Sequence, residues 1–204
     1  MDQHTREWRA EHANFVRLLD LIDAQVAVFH GGGRPDYELM LDVMHYMTCY
    51  PDRYHHLRED LAFEGVFERV PDLRALADEL AAQHLSIARA GAKLVEDLDA
   101  IVDGAVLPRA TVEADASAYT RFMRQHMQRE EAAIFPALDR VLAPRDWLLI
   151  DARVHFVADP MFGDVVQDRY RTLHQRITSQ VGCGCAEVGC GCAEVGCGCA
   201  EIGA

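Results

Sequence analysis

Cysteine is nearly absent before residue 183, which argues against a small protein held together by disulfide bonds. Of the seven cysteines, six lie between residues 183 and 199, and only Cys49 occurs before them. A disulfide framework distributed over the fold is therefore excluded. The sequence also lacks any run of eighteen apolar residues, so it predicts no membrane-spanning helix.

Positive charge is also scarce. The chain has 20 Lys and Arg against 33 Asp and Glu, a formal net charge of −13 at pH 7. Domains that bind nucleic acids need a basic patch, so this balance argues against that class of partner. The first residues, Met1 to Glu7, include no apolar signal region. We therefore expect a cytoplasmic protein without nucleic-acid or membrane partners.

What the sequence does contain is helical periodicity. Apolar residues recur at alternating steps of three and four over four long stretches, at about residues 4–29, 37 to the mid-60s, 72–103 and 111–142. The connections between them are short, which favours an all-α fold, an antiparallel up-down four-helix bundle. Pro51 interrupts the second stretch and predicts either a bend just before His55 or two short helices.

The chain beyond Pro144 is less regular. It predicts a short fifth helix over residues 145–156 and a last helix over about 163–179, both covering an end or a side of the bundle. From Val181 the unit Val-Gly-Cys-Gly-Cys-Ala-Glu occurs three times in succession. Glycine and cysteine at this density cannot sustain a helix or a core. We therefore predict a domain over residues 1–178 and a flexible tail over 179–204.

Each predicted bundle helix places a histidine on its apolar stripe. Two of these histidines stand alone, and each of the other two is followed by a glutamate four residues later. Because residues i and i+4 share one helix face, such a pair can present a ring nitrogen and a carboxylate oxygen at one point. The candidate metal ligands are His12, His55, Glu59, His84, His126 and Glu130.

Two buried carboxylates require compensating positive charge, which metal ions supply. A single buried histidine is more often an ordinary core residue, but six such residues at matching heights in one bundle predict a site for two ions. Imidazole and carboxylate suit iron, and would also hold manganese or zinc. His56, Asp60 and Glu131 each directly follow a candidate ligand, about 100° around the helix. We predict that they lie beside the site or on the surface.

The sequence resembles the hemerythrin-like, HHE cation-binding family over about residues 1–178. The resemblance is carried by Tyr50-Pro51-Asp52-Arg53-Tyr54-His55-His56-x-x-Glu59-Asp60, His126-x-x-x-Glu130-Glu131-x-x-x-Phe135-Pro136, Glu11-His12, His84 and Asp159-Pro160-Met161-Phe162-Gly163. It implies a non-haem, oxo- or hydroxo-bridged di-iron centre that binds or senses oxygen, nitric oxide or peroxide, or that handles iron under oxidative or nitrosative stress. Ala88 occupies the position where oxygen-carrying hemerythrins have a further histidine, so the ligand set is closer to that of proteins that repair iron centres.

Two other functions stay open. The same centre would support a di-iron enzyme that consumes peroxide or nitric oxide. The Cys-Gly-Cys pairs suit soft ions such as Cu(I) or Zn(II), which would make the chain a metal-trafficking protein. The repeats are also consistent with a tandem expansion that has no selected role. The cysteines concerned are Cys183, Cys185, Cys190, Cys192, Cys197 and Cys199.

Overall fold

The computed structural model describes residues 2–67, 69–154 and 157–182. Over these residues the fold is all-α, with eight α-helices and no strand: α1 Gln3–His30, α2 Tyr37–Tyr50, α3 His56–Phe67, α4 Arg74–Val102, α5 Arg109–Arg129, α6 Phe135–Val141, α7 Pro144–Arg153 and α8 Arg171–Gly182. Of the predicted flexible tail, residues 179–204, the first four residues belong to α8, and residues 183–204 lie outside the described residues.

Four long helical runs form the bundle. They are α1, then α2 with α3, then α4, then α5 with α6. Each run packs against the two next to it around the bundle: α1 contacts α2 and α5, and α4 contacts α2 and α5. The prediction of an antiparallel four-helix bundle is confirmed.

The helix ends are set by local sequence signals. The side chain of Asp2 accepts a hydrogen bond from the backbone N–H of His4 at 3.0 Å, and Asp36 does the same for Leu39 at 2.9 Å. These carboxylates satisfy N–H groups that have no partner inside the helix. After α1 the chain turns through Gly32, whose φ of 77° is a conformation that glycine adopts without strain.

Two of the four runs contain a widened helical turn. The chain remains helical through Pro51, and Pro51–His55 form a π-helical turn that joins α2 to α3. The two short α-helices of the alternative prediction are therefore present, and they are joined without a break in the helical run. A second π-helical turn, Glu130–Ile134, joins α5 to α6. Such turns occur frequently at functional sites, and here each one contains a residue of a His-x-x-x-Glu pair.

The helices α2 and α4 approach each other closely at Gly91. A Cβ atom added to Gly91 would lie 2.9 Å from Cγ2 of Thr48 and 3.3 Å from the ring of Tyr119. Only a residue without a side chain permits this approach. The surrounding core contains large, fully buried side chains, including Trp8, Phe15, Tyr46, Phe63 and Phe135.

The last helix begins later than predicted, at Arg171 instead of near residue 163. The reason is Asp159, whose Oδ1 atom accepts the backbone N–H groups of Met161 and Phe162 at 2.8 Å each and so folds the segment into a turn. Tyr46 of α2 donates a hydrogen bond to the other oxygen of Asp159 at 2.8 Å, which fastens the turn to the bundle. In the part of the chain that the structure describes, no helix combines the length and hydropathy required to cross a membrane.

Candidate metal centre

The structure brings all six predicted ligand residues together in the middle of the bundle. They come from all four runs, and each is between 0% and 4% exposed: His12, His55, Glu59, His84, His126 and Glu130. The helical stripes that carry them point inward because the rest of each stripe is apolar and packs in the core.

Glu59 faces two groups of histidines with its two oxygens. Its Oε1 atom lies 3.2 Å from Nε2 of His55 and 3.6 Å from Nε2 of His12. Its Oε2 atom lies 3.5 Å from Nε2 of His84. One carboxylate therefore spans from the His12 and His55 side of the cluster to the opposite side.

Glu130 spans the cluster in the same way. Its Oε1 atom lies 3.0 Å from Nε2 of His126 and 3.2 Å from Nε2 of His84. Its Oε2 atom lies 3.6 Å from Nε2 of His12. The two carboxylates thus run side by side between two pairs of imidazoles, an arrangement that suits two cations with shared carboxylate ligands.

The outer nitrogen of each histidine contacts an oxygen supplied by a neighbouring helix. Nδ1 of His12 lies 2.9 Å from Glu131, that of His84 lies 2.8 Å from Asp60, and that of His126 lies 3.0 Å from Gln83. Nδ1 of His55 is hydrogen-bonded to Glu11.

These four contacts form a closed ring around the bundle. The residue next to a candidate ligand on one helix accepts the Nδ1–H of the histidine on the following helix, and the last helix returns to the first. Metal-bound histidines usually donate their other ring N–H to such an oxygen, which fixes the ring and leaves Nε2 as the ligand atom. Asp60 and Glu131 do lie beside the site, as predicted, and Glu11 and Gln83 are members of the ring that the sequence pattern alone did not indicate.

Charge in the cluster is arranged to keep the carboxylates ionised. Burial raises the pKa of Glu59, but the charge on His55 and contacts with His12 and His55 outweigh burial and lower this pKa well below its ordinary value. The pKa of Glu130 is also lowered: burial and the nearby Glu59 raise it, and His126 and His84 lower it further. Both glutamates therefore present anionic oxygens at neutral pH.

Several ligand atoms make no hydrogen bond to the described residues. Both oxygens of Glu59, Oε2 of Glu130 and Nε2 of His126 are buried and have no hydrogen-bond partner among the described residues. Buried polar atoms are almost always satisfied in folded proteins. Cations bound between these atoms would satisfy all of them, so the residues present fit a metal centre.

His56 is predicted to lie beside the site or on the surface, and the structure shows that it is buried. It is 3% exposed, and its ring stacks on that of His84 with centroids 4.2 Å apart and planes 11° apart. Burial, with the charge of His84 second, holds the pKa of His56 well below its ordinary value, so the imidazole is neutral. A helix face in a bundle is 100° wide or more, which leaves room for two successive residues to point inward.

A cavity of about 350 Å³ approaches the centre from outside between α1 and α5. Its lining includes His12 and Glu131, so it ends at one of the candidate ligands. Arg9 closes part of the cavity, because its guanidinium contacts the carboxylate of Glu131 at 2.9 Å and the backbone oxygen of Glu131 at 3.0 Å.

A family model for the hemerythrin HHE cation binding domain matches residues 3–138. The chain belongs to this family. The match covers the four-helix bundle with all six candidate ligands and ends within α6, whereas the resemblance in the sequence was expected to reach about residue 178. No curated protein and no solved structure matches the chain.

Membership makes this a cation-binding domain, and the side-chain cluster agrees with it. The cluster contains two sets of residues whose ligand atoms all lie within 4.8 Å of one another inside each set. His12, His55 and Glu59 form one set, His56, Glu59, His84 and His126 form the other, and Glu59 belongs to both.

Proposed function

We propose that this protein is a non-haem di-iron protein that binds or senses small oxidants, namely oxygen, nitric oxide or peroxide. The observation that carries the proposal is the placement of Glu59 and Glu130. Each carboxylate directs one oxygen to the His12 and His55 side of the cluster and the other towards His84. Two carboxylates placed in this way are suited to bridging two ions.

Iron is the proposed metal because of the donor set. Four imidazoles and two carboxylates are ligands of intermediate hardness that suit iron, although manganese and zinc accept the same donors. A bound iron pair would supply redox chemistry towards oxygen, nitric oxide or peroxide. The protein would contribute the ionised carboxylates and the ring of Nδ1 contacts that holds each imidazole in position.

The proposed ligands are small because the site is closed to large ones. His12 and His126 are 2% and 1% exposed, and the ion pair of Arg9 and Glu131 lines the cavity that reaches His12. Two ions that share six protein ligands also keep coordination positions available. A diatomic molecule or a peroxide fits that description, and a larger organic substrate does not.

The test is metal content and the visible spectrum of the full chain, purified in air without added metal. We expect about two irons per chain and near-ultraviolet charge-transfer bands. Both should be lost in the double variant Glu59→Ala/Glu130→Ala. The matched control is Glu64→Ala/Glu96→Ala, which removes two exposed glutamates that are not part of the cluster.

The outcome that would overturn the proposal is metal that does not depend on the bundle. Zinc or copper retained equally by the Glu59→Ala/Glu130→Ala variant and lost when residues 183–204 are deleted would assign metal binding to the cysteine repeats. If iron is bound, steady turnover of added peroxide or nitric oxide would indicate an enzyme, and a single stoichiometric reaction would indicate a sensor or carrier.

A further inference from the structure

His56 is the one buried histidine near the centre whose ring nitrogens are both without a hydrogen-bond partner among the described residues. It is as buried as the six predicted ligands, at 3% exposed. An imidazole that is enclosed in this way should have a partner at one nitrogen at least. Its surroundings therefore call for an acceptor or a cation.

The surroundings of His56 repeat those of the four predicted histidine ligands. Each of those rings has a side-chain oxygen at Nδ1, and Nδ1 of His56 lies 3.3 Å from Oδ1 of Asp52, one turn earlier on the same helical run. Oδ1 of Asp52 is itself buried and has no hydrogen-bond partner among the described residues. Rotation of the ring would align the two atoms, and it would leave Nε2 of His56 as the nitrogen available to a metal.

His56 is also close enough to the cluster to supply a ligand atom. One of its ligand atoms and those of Glu59, His84 and His126 all lie within 4.8 Å of one another. Its ring is stacked on that of His84, so binding of one ion by both imidazoles requires the His56 ring to turn out of this stack, and its edge contact with His126 has centroids 5.8 Å apart. His55 and His56 thus face opposite sides of the site, since His55 contacts His12 of α1 and His56 contacts His84 of α4.

We propose that His56 is a fifth histidine ligand, completing the metal ion on the side of His84 and His126. This inference rests on the proposed di-iron function. It makes the two ions unequal, with three histidines on one ion and two, His12 and His55, on the other. The ion with fewer nitrogen ligands is then the one that keeps an open position, and it lies on the side where the cavity between α1 and α5 ends at His12.

The test compares iron retention and the near-ultraviolet spectrum in the full chain carrying His56→Phe. Phenylalanine keeps an aromatic ring against His84 and fills a similar volume, but it offers no nitrogen. We expect one of the two irons to be lost to a competing chelator at least 10- to 100-fold more readily than in the wild type, since even partners of metal ligands have effects of that size. The charge-transfer bands should change with it. The control is His45→Phe, a half-buried histidine of α2 that is not part of the cluster.

A second variant covers the case in which phenylalanine disturbs the fold. His56→Ala leaves a space for free imidazole, and we expect added imidazole to restore the second iron and the wild-type bands. Retention of both irons with the wild-type spectrum in His56→Phe would overturn the proposal. So would an unchanged spectrum with altered azide affinity, because His56 would then contact the bound molecule instead of the metal. If the wild type itself does not bind two irons, the proposed function fails first.

Discussion

Glu131 accepts a hydrogen bond from Nδ1 of His12 at a distance of 2.9 Å, across the contact between the last and the first run of the bundle. This contact closes the ring in which Glu11 holds His55, Asp60 holds His84 and Gln83 holds His126. Each helix therefore supplies a candidate ligand and also orients the ligand of the next helix. The centre is a property of the assembled bundle.

Loss of one oxygen of the ring should weaken metal binding without unfolding the protein. Asp60→Ala leaves Nδ1 of His84 without its partner. We expect iron affinity to fall about 10- to 100-fold while the helix content is unchanged. Chelator competition measures the affinity, and circular dichroism measures the helix content. Glu64→Ala is the control, because Glu64 lies four residues further on α3 and pairs with the exposed Arg153. Equal losses in the two variants would contradict a positioning role for Asp60.

Iron binding should release protons. In protein stripped of metal with a chelator, burial lowers the pKa of His55 and of His84, but adjacent carboxylates outweigh burial and raise both pKa values to about 10 from an ordinary value of 6.5. For His55 these carboxylates are Glu59 and Glu11, and for His84 they include Asp60 and Glu130. Both imidazoles are then protonated at pH 7, and a metal must displace those protons.

The sign of the pH dependence follows from these raised values. Protonated His55 and His84 stabilise the metal-free fold fully below pH 6.5, and this contribution is lost as the pH rises through about 10. Iron affinity should rise over the same interval, with roughly two protons released per chain near pH 8. Calorimetry in buffers of different ionisation enthalpy counts the protons. Affinity that is independent of pH between 6.5 and 10 would contradict this charge arrangement.

Arg9 should control the access of small molecules to the centre. Its ion pair with Glu131 lies at the cavity that ends at His12. Arg9→Ala should let azide or nitric oxide bind several-fold faster, with the iron content unchanged, and stopped-flow absorbance measures the rate. Arg129→Ala removes an arginine that pairs with Glu79 at the surface and should leave the rate as it is. If both variants behave like the wild type, small molecules enter by another route.

Gly91 should be required for the close approach of α2 and α4. In Gly91→Ala the new Cβ atom would lie 2.9 Å from Cγ2 of Thr48. Overpacking of this kind costs about 1–3 kcal/mol, which corresponds to a melting temperature lower by roughly 2–12 °C for a domain of this size. Thr48→Ser removes the opposing methyl group, so the double variant should recover most of the loss. A double variant as unstable as Gly91→Ala would show that Thr48 is not the limiting contact.

The bundle was predictable from the sequence because its signals are local. Apolar periodicity defined the four runs. His12 and His84 replace apolar residues on regular stripes, and that position alone predicts that they point into the core. The late start of α8 was not predictable in the same way. It depends on Asp159 binding two backbone N–H groups and the hydroxyl of Tyr46, and this last contact joins residues that are 113 positions apart.

The ring of oxygens was missed for a geometric reason that becomes clear once the helix directions are known. On α1 and α4 the oxygen comes from the residue before the histidine ligand, Glu11 or Gln83. The other two runs are antiparallel to α1 and α4, and there the oxygen comes from the residue after the glutamate ligand, Asp60 or Glu131. A right-handed helix seen from one end of the bundle turns in opposite senses when it runs up and when it runs down. The position next to the ligand that faces the following helix therefore alternates between before and after.

The same geometry explains why His56 lies beside the site and not on the surface. A step of one residue turns the side chain about 100° around the helix. In this antiparallel run the step turns it from α1 towards α4, where it meets His84 inside the core. A prediction that assigns only one inward-facing residue to each helical turn underestimates how much of a bundle helix is buried.

Glu59 and Glu130 should hold two iron ions as one coupled unit. Mössbauer spectroscopy of the full chain, purified with ⁵⁷Fe and oxidised in air, detects such coupling. We expect a diamagnetic signal at liquid-helium temperature from two coupled ferric ions, absent from the Glu59→Ala/Glu130→Ala variant. Magnetically isolated ferric iron in the wild type, or a coupled signal that survives the loss of both glutamates, would contradict it.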